Sequence, residues 1–293
     1  MDTLTWKVGK RAEIPLSFRA FRRLVSDGDF NADIPIGGLA PGPNEITVTA
    51  RFRDGAVVSR TVTLARESGR RPLPARIRWR EVRDPQEAGQ YVDGKWGLDG
   101  GGLRTLQTGY DRLFLIGERN WRDYEVRATI TVHAVERETT PLSGGNGVGV
   151  ILRFAGHAVG GPRHFASGQP KWGYQPFGAI GWLRWRQGAP EAPPELQFYP
   201  GDSDRAADHG AHPLAAGRPF RISFRCETLP DDPRGWSVTR YSFKIWPGGG
   251  REPGNWAWQE RQASAAALRA GGAALVAHHA DVTFGDVEIA GTA

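Results

Sequence analysis

The residue types best suited to chemistry gather between Arg163 and Trp185, where Lys171-Trp-Gly-Tyr-Gln-Pro-Phe177 is followed by Ile180-Gly-Trp-Leu-Arg-Trp185. Sugar rings present flat C–H faces, so sites for them pair an aromatic plane with side chains that hydrogen-bond the ring hydroxyls. Trp172, Tyr174, Trp182 and Arg184 have that chemistry. Trp185 is in phase with Leu183 and reads as core, whereas Trp182 is opposite in phase and is free to face a ligand.

Other constellations offer less. His278 and His279 are adjacent in a strand-like run, which puts them on opposite faces and keeps them from sharing an ion. Asp202-Ser-Asp-Arg-Ala-Ala-Asp-His-Gly-Ala-His212 holds three carboxylates and two imidazoles but departs from the Asp-x-Asp-x-Asp-Gly calcium pattern, and reads as a solvated loop. Ser143-Gly-Gly-Asn-Gly-Val-Gly149 leads into a strand instead of a helix N-terminus, so it reads as a turn and not as a phosphate loop. The single Cys226 excludes an internal disulfide and supplies no zinc site.

The elements that must position these residues are strands. Arg119 to His133 alternates most strictly, with Tyr124, Val126, Ala128, Ile130 and Val132 on one face and Asp123, Glu125, Arg127, Thr129, Thr131 and His133 on the other. Burying the five apolar side chains contributes roughly 8–15 kcal/mol before entropy is subtracted, so a second layer must cover them. With 39 Gly, 21 Pro and 11 Trp in 293 residues, the composition suits an all-β protein rich in turns. The net charge of +6 is not a nucleic-acid signal, because 33 Arg and 5 Lys are scattered among 32 acids instead of forming a stripe. The N-terminus has no signal-peptide pattern, and apolar runs such as Leu113 to Ile116 are too short for membrane insertion.

Residues 1–68 read as a first domain in which strands 44–53 and 57–64 are joined through Asp54-Gly55, a strong hairpin signal. Residues 69–76 accumulate charge, Gly and Pro and read as a linker. From 77 to 293 strands are expected near 77–82, 103–107, 112–117, 121–133, 148–154, 179–186, 195–199, 220–226, 238–246 and 274–289, with one short helix at Ser264 to Arg269 ahead of Gly271-Gly272. Ten to fourteen antiparallel strands over roughly 210 residues imply a two-sheet sandwich.

Two resemblances refine this picture. Gly28-Asp-Phe-Asn-Ala-Asp-Ile-Pro35 followed by Leu39-Ala-Pro-Gly-Pro-Asn-Glu-Ile46 resembles the bacterial immunoglobulin-like pattern. Such sandwiches take about 100 residues and seven strands, so this one is expected to be truncated. Trp121-Arg-Asp-Tyr-Glu-Val, Gly147-Val-Gly-Val-Ile-Leu-Arg-Phe154, Tyr241-Ser-Phe-Lys-Ile-Trp246 with Glu252-Pro253 and Trp256, and the ending Gly272 to Ile289 resemble the concanavalin A-like (laminin-G-like) jelly roll. The likeness is greatest to bacterial domains related to the 3-keto-glycoside hydrolases. It implies an all-β, two-sheet antiparallel jelly-roll sandwich behind a small immunoglobulin-like β-sandwich, a location outside the cytoplasm, and a structural calcium for which Asp281 is the candidate ligand.

This fold carries lectins, hydrolases, lyases and adhesion modules alike. The Glu-x-Asp-x-x-Glu string of its glucanases is absent, and the nearest substitute is Asp123-Tyr-Glu125 on one strand face. The lyases' arginine, imidazole and phenol have counterparts in Arg153, His157 and Tyr174, but nothing in the spacing demands them. The resulting expectation is recognition of a glycan or polysaccharide without an evident catalytic centre, with a glycan-degrading enzyme as the alternative. If Val126, Leu152, Leu183, Phe224 and Phe243 face the core, then Arg127, Arg153, Trp182 with Arg184, Arg225, and Lys244 with Trp246 face outward. Arg153, Trp182 and Arg184 are then expected to line one groove.

Overall fold

The computed structural model describes residues 1–67, 71–139, 144–157, 169–171, 177–202 and 205–292. The chain divides into two compact units, Met1–Arg70 with His157–Tyr174, and Arg71–Gly156 with Gln175–Ala293.

In the first unit β1 (Thr3–Val8), β2 (Ile14–Pro15), β3 (Gly42–Arg51) and β4 (Val57–Arg66) form one antiparallel sheet in the order β2-β1-β3-β4. The β3–β4 hairpin turns where Asp54-Gly55 predicts, with Gly55 at φ +85° and the Ala56 amide donating to Asp54 Oδ1 at 3.0 Å. Asn44 closes the turn before β3, donating to the carbonyls of Ala40 and Gly42 at 2.8 Å each. Leu4, Trp6, Leu16, Leu39 and Ile46 make a small core on one side of the sheet. The described strands of this unit form one four-stranded sheet. Residue 157 and residues 169–171 group by contact with this first unit. The Ser17 amide donates to Gln169 O at 2.8 Å, and the Asp33 carboxylate takes both Arg23, at 3.0 Å, and the Lys171 amide, at 2.7 Å.

The second unit opens with β5 (Ala75–Ile77), β6 (Gln90–Asp93), β7 (Trp96–Asp99), β8 (Gly102–Thr105) and β9 (Arg112–Ile116). The long strands follow: β10 (Tyr124–Val135), β11 (Gly145–Phe154), β12 (Ala179–Arg186), β13 (Glu195–Pro200), β14 (Ala207–Ala211), β15 (Phe220–Leu229) and β16 (Ser237–Pro247). It closes with β17 (Trp258–Ser264), β18 (Gly272–His278) and β19 (Ala280–Gly291). The larger sheet runs β17-β16-β15-β10-β19-β8-β7, with β5 also paired to β19; the smaller runs β14-β13-β12-β11-β18-β9-β6. This is the all-β, two-sheet antiparallel jelly-roll sandwich. Its interior is one cluster that includes Tyr124, Val126, Ala128, Ile130 and Val132 from β10 together with Leu152, Leu183, Phe224 and Phe243, the residues the alternation assigns to the core.

Residues from Arg71 onward are not a free linker: Arg71 N donates to Glu118 Oε1 at 2.9 Å, and the Trp121 indole donates to Arg71 O at 3.0 Å. No helix forms at 264–269. Six residues are too short to repay helix nucleation, Ser264 Oγ takes the Ala266 amide in a turn, and the Leu268 carbonyl is used by Arg153. The run 274–289, read as one strand, is two strands in different sheets. Among the described residues no helix is long and apolar enough to cross a membrane.

Candidate functional site

The outer faces of the two sheets differ in kind. On the smaller sheet, Leu113, Ile151, Ile180, Ala274 and Val276 lie outside the central core cluster and are buried all the same. On the larger sheet the outward positions of neighbouring strands are charged. Register places Glu125 beside Arg225, Arg127 beside Ser223 and Glu288, and Ser223 beside Lys244.

Glu125 is the hub of that face. Although only 5 % exposed, it accepts from Ser223 Oγ at 2.7 Å, from Arg127 Nε at 2.7 Å and from Arg225 Nε at 2.7 Å. Burial alone pushes its carboxyl up, but the hydrogen bonds of Ser223 and Arg225 and the charges of Arg127 and Arg225 outweigh it, so the group is held below the usual carboxylate range. These partners favour its ionised form. Glu252, from the loop after β16, takes Lys244 at 3.1 Å and Arg127 at 3.4 Å. The same loop brings the half-buried Trp256 against two cations, with the Arg225 guanidinium 4.8 Å and the Lys244 ammonium 4.5 Å from the indole centroid. Beside them Glu125, Arg127, Arg225, Glu288, Ala290, Gly291 and Thr292 line an open depression of about 330 Å³. An aromatic plane, forked donors and fixed carboxylates around a solvent-filled hollow are what recognition of a hydroxylated ring requires.

The residues predicted for one groove are not brought together. Lys244 and Trp246 lie on the larger sheet's outer face, where Arg221 stands 5.4 Å from the Trp246 ring. Trp182 and Arg184 lie on the smaller sheet's outer face. Trp182 is only 6 % exposed, donates to Gln197 Oε1 at 2.8 Å and carries the Arg184 guanidinium 4.8 Å from its ring. The indole lies against β11 because Gly147 faces it, where a Cβ would come within 2.7 Å of the ring. It is thus packing, not an open stacking plane.

Arg153 is fully buried at 0 % exposure and lines no groove. Its guanidinium is spent inside, on Thr239, Thr228, Asp123 and the carbonyls of Arg122 and Leu268. Asp123 is therefore Arg153's partner and not half of a carboxylate pair with Glu125. His157 is buried and groups with the first unit. Trp172 and Tyr174 lie outside the described residues. Trp256, which alternation could not single out because it sits in a loop, was visible only as part of the Glu252-Pro253 motif.

Asp281 does not suit a cation. Both its oxygens are taken by Arg104, at 3.0 and 2.9 Å, and a calcium ion would have to displace that guanidinium. Among the described residues no three His, Cys, Asp or Glu side chains gather to hold a metal. Exhaustive chelation is accordingly expected to leave the melting temperature unchanged; a fall of several degrees would mean that an ion stabilises the fold by mass action.

No protein-family model matches the chain, and no curated protein matches it. Among solved structures it is similar to the VIP36 exoplasmic/lumenal domain in a Ca2+/Man3GlcNAc-bound form, at 11 % identity over 72 % of this chain and 87 % of that one, with a TM-score of 0.42. It is also similar to lectin I-B4 from Griffonia simplicifolia, at 7 % identity over 75 % of this chain and 100 % of that one, with a TM-score of 0.42. A legume lectin-like domain from Entamoeba histolytica matches at 6 % identity over 71 % of this chain and 92 % of that one, again with a TM-score of 0.42. The class of this chain rests on its own strand order, which defines a jelly-roll sandwich with a polar, indole-bearing outer face.

Proposed function

We propose that the second unit recognises an acidic or heavily hydroxylated polysaccharide on the outer face of its larger sheet. The observation that carries this reading is the half-buried Trp256 indole, with the Arg225 and Lys244 cations against it, beside the depression over Glu125. A sugar ring stacks on the indole's open part while the guanidinium forks of Arg225 and Arg127 meet its hydroxyls or carboxylate. Lys244 belongs to this surface; Trp246, on the same sheet face but only 4 % exposed, offers no open stacking plane, and Arg153 and Trp182 lie elsewhere. The sequence resemblances support a bacterial family related to the 3-keto-glycoside hydrolases, an immunoglobulin-like origin for residues 1–68, and residence outside the cytoplasm.

A glycan array on the intact chain tests the reading, followed by titration of the best ligand. Trp256→Ala is expected to weaken binding by about 1–3 kcal/mol, the usual cost of losing a stacking aromatic. For an acidic ligand, affinity is also expected to fall as salt rises. Failure to bind any glycan, or equal affinity of parent and Trp256→Ala, would reject the proposal.

A further inference from the structure

In the first unit β4 closes the order β2-β1-β3-β4, and among the described residues no strand pairs with its outer side. A row of free N–H and C=O groups templates a further strand, so proteins blunt such edges with short strands, prolines, bulges or charges. The other described sheet edges are blunted. β2 has two residues and ends in Pro15, β7 has four, the pairings of β6 and β14 are irregular, and β17 carries Glu260 and Arg261. β4 runs ten residues without a proline or a break in its register with β3, and Arg60 is its one charge before Arg66.

The pairing already made fixes what this edge offers. Asp2 N and Gly9 N donate to Arg51 O and Glu45 O, so the odd-numbered residues of β3 bond toward β1 and the even-numbered ones toward β4. The hairpin agrees, with Phe52 N donating to Ala56 O at 2.9 Å. Partners across β3 and β4 share parity, as Val48 with Arg60 and Ile46 with Val62. Val57, Ser59, Thr61, Thr63 and Ala65 therefore aim their N–H and C=O groups outward. One of these acceptors is met by the strand's own side chain, Arg60 Nη1 donating to Ser59 O at 3.3 Å.

The side chains are unfinished in the same direction. Thr47 and Thr61 share a hydroxyl hydrogen bond of 2.9 Å, as do Thr49 and Ser59, and both rows stop at β4. On the opposite face Val62 lies beside the buried Ile46, and Val58 beside Ala50, yet Val62 is 60 % and Val58 46 % exposed. The small core of this unit thus ends in uncovered valines.

The strand is its own complement. Val57-Val-Ser-Arg-Thr-Val-Thr-Leu-Ala65 has the same pattern in both directions about Thr61: two apolar residues and a hydroxyl on each side, with Arg60 and Val62 as the one unlike pair. We propose that a second copy of this chain pairs antiparallel with β4 about a two-fold axis at Thr61, joining two four-stranded sheets into one of eight. In that register Thr61 exchanges both backbone bonds with the partner's Thr61, and Ser59 meets the partner's Thr63, which continues the hydroxyl rows. Val58 lies against the partner's Leu64, and Val62 lies under the aliphatic stem of the partner's Arg60. Moving the axis to Arg60 would set the two Arg60 side chains opposite each other, where like charges repel; moving it to Val62 would set Val58 against the partner's Arg66. Each copy has one such edge, so the assembly closes at two chains.

Light scattering and sedimentation of the full chain test the proposal, and are expected to give twice the chain mass of 32.1 kDa, with monomer returning on dilution. The Thr61 N–H points away from β3, so Thr61→Pro spares the existing sheet and removes the two central intermolecular donors. Its dimer dissociation constant is expected to rise roughly 10- to 100-fold. Thr61→Cys reads the register. Cα atoms of a hydrogen-bonded antiparallel pair stand about 5.5 Å apart, within the span of a disulfide, so mild oxidation is expected to link two chains. Thr63→Cys faces the partner's Ser59 instead of its own symmetry mate and is expected to stay unlinked, and the native Cys226 is buried. A parent that remains at 32.1 kDa up to roughly 0.1 mM would overturn the proposal. So would a Thr61→Pro variant that dimerises as tightly as the parent, or a Thr63→Cys variant that links as readily as Thr61→Cys.

Discussion

Replacing Arg153 by methionine is expected to lower the unfolding free energy of the second unit by about 3–5 kcal/mol, the range for breaking a buried charge pair. The guanidinium offers five N–H groups, and all five are engaged: Nε with Arg122 O at 3.1 Å, Nη1 with Thr239 at 2.7 Å and Leu268 O at 2.8 Å, Nη2 with Asp123 at 3.1 Å and Thr228 at 2.8 Å. Methionine fills similar space but removes every donor that Arg153 offers to the Arg122 and Leu268 carbonyls and to Asp123, which keeps only the Thr228 amide and hydroxyl. Arg153→Lys is expected to rescue little, because one ammonium cannot reproduce a planar fork that reaches five acceptors. For a domain of this size the loss corresponds to a fall in melting temperature of roughly 6–20 °C. Thermal and urea unfolding measure it. A change below about 1 kcal/mol would mean that the acceptors find other donors or water.

The same residue shows where sequence reasoning stopped. Alternation gave β10 and the core positions of β11, β12, β15 and β16, because in those strands membership of the central core follows a period of two, even where, as in β11, the outward side chains are buried as well. It sent Arg153 outward, since Leu152 faces the core. In the structure Arg153 stands at φ +52°, within a break in the β11–β18 register between Ile151 and Phe154. One left-handed residue at such a bulge re-aims the side chain, here into the interior. His279, at φ +51°, departs for the same reason: alternation sets it opposite His278, yet the two ring centroids stand 4.7 Å apart. Conformations that only tertiary contacts over-determine leave no periodic trace in a sequence. Neither does a loop indole: Trp256 gains its place from Arg225 and Lys244, on strands that alternation did place correctly. Asp54-Gly55 was legible because its turn is chosen locally, by the φ that glycine permits.

The charged hub of the larger sheet predicts a second large loss, and one with a distinct signature in acid. Glu125→Gln removes the anion that Arg127 and Arg225 share, leaving two cations side by side, and is expected to cost about 2–3 kcal/mol at neutral pH. The carboxyl is held below its ordinary value of 4.5 in the folded chain. The unfolded chain therefore takes up this proton first as pH falls. Glu125's contribution is full above about pH 4.5 and is lost as pH drops through its folded value. His278 titrates in a different window. Burial holds its ring below the ordinary 6.5, helped by the charges of Arg184 and His279 and opposed by Asp111. The folded state resists a proton that the unfolded state accepts, so its contribution is present above about pH 6.5 and declines below it. Melting temperature followed against pH is thus expected to fall in two steps. His278→Gln should abolish the upper step and leave the lower, and Glu125→Gln should do the reverse. A single step unaffected by either substitution would show that neither group controls acid stability, and that the ionised Glu125 hub contributes only surface charge.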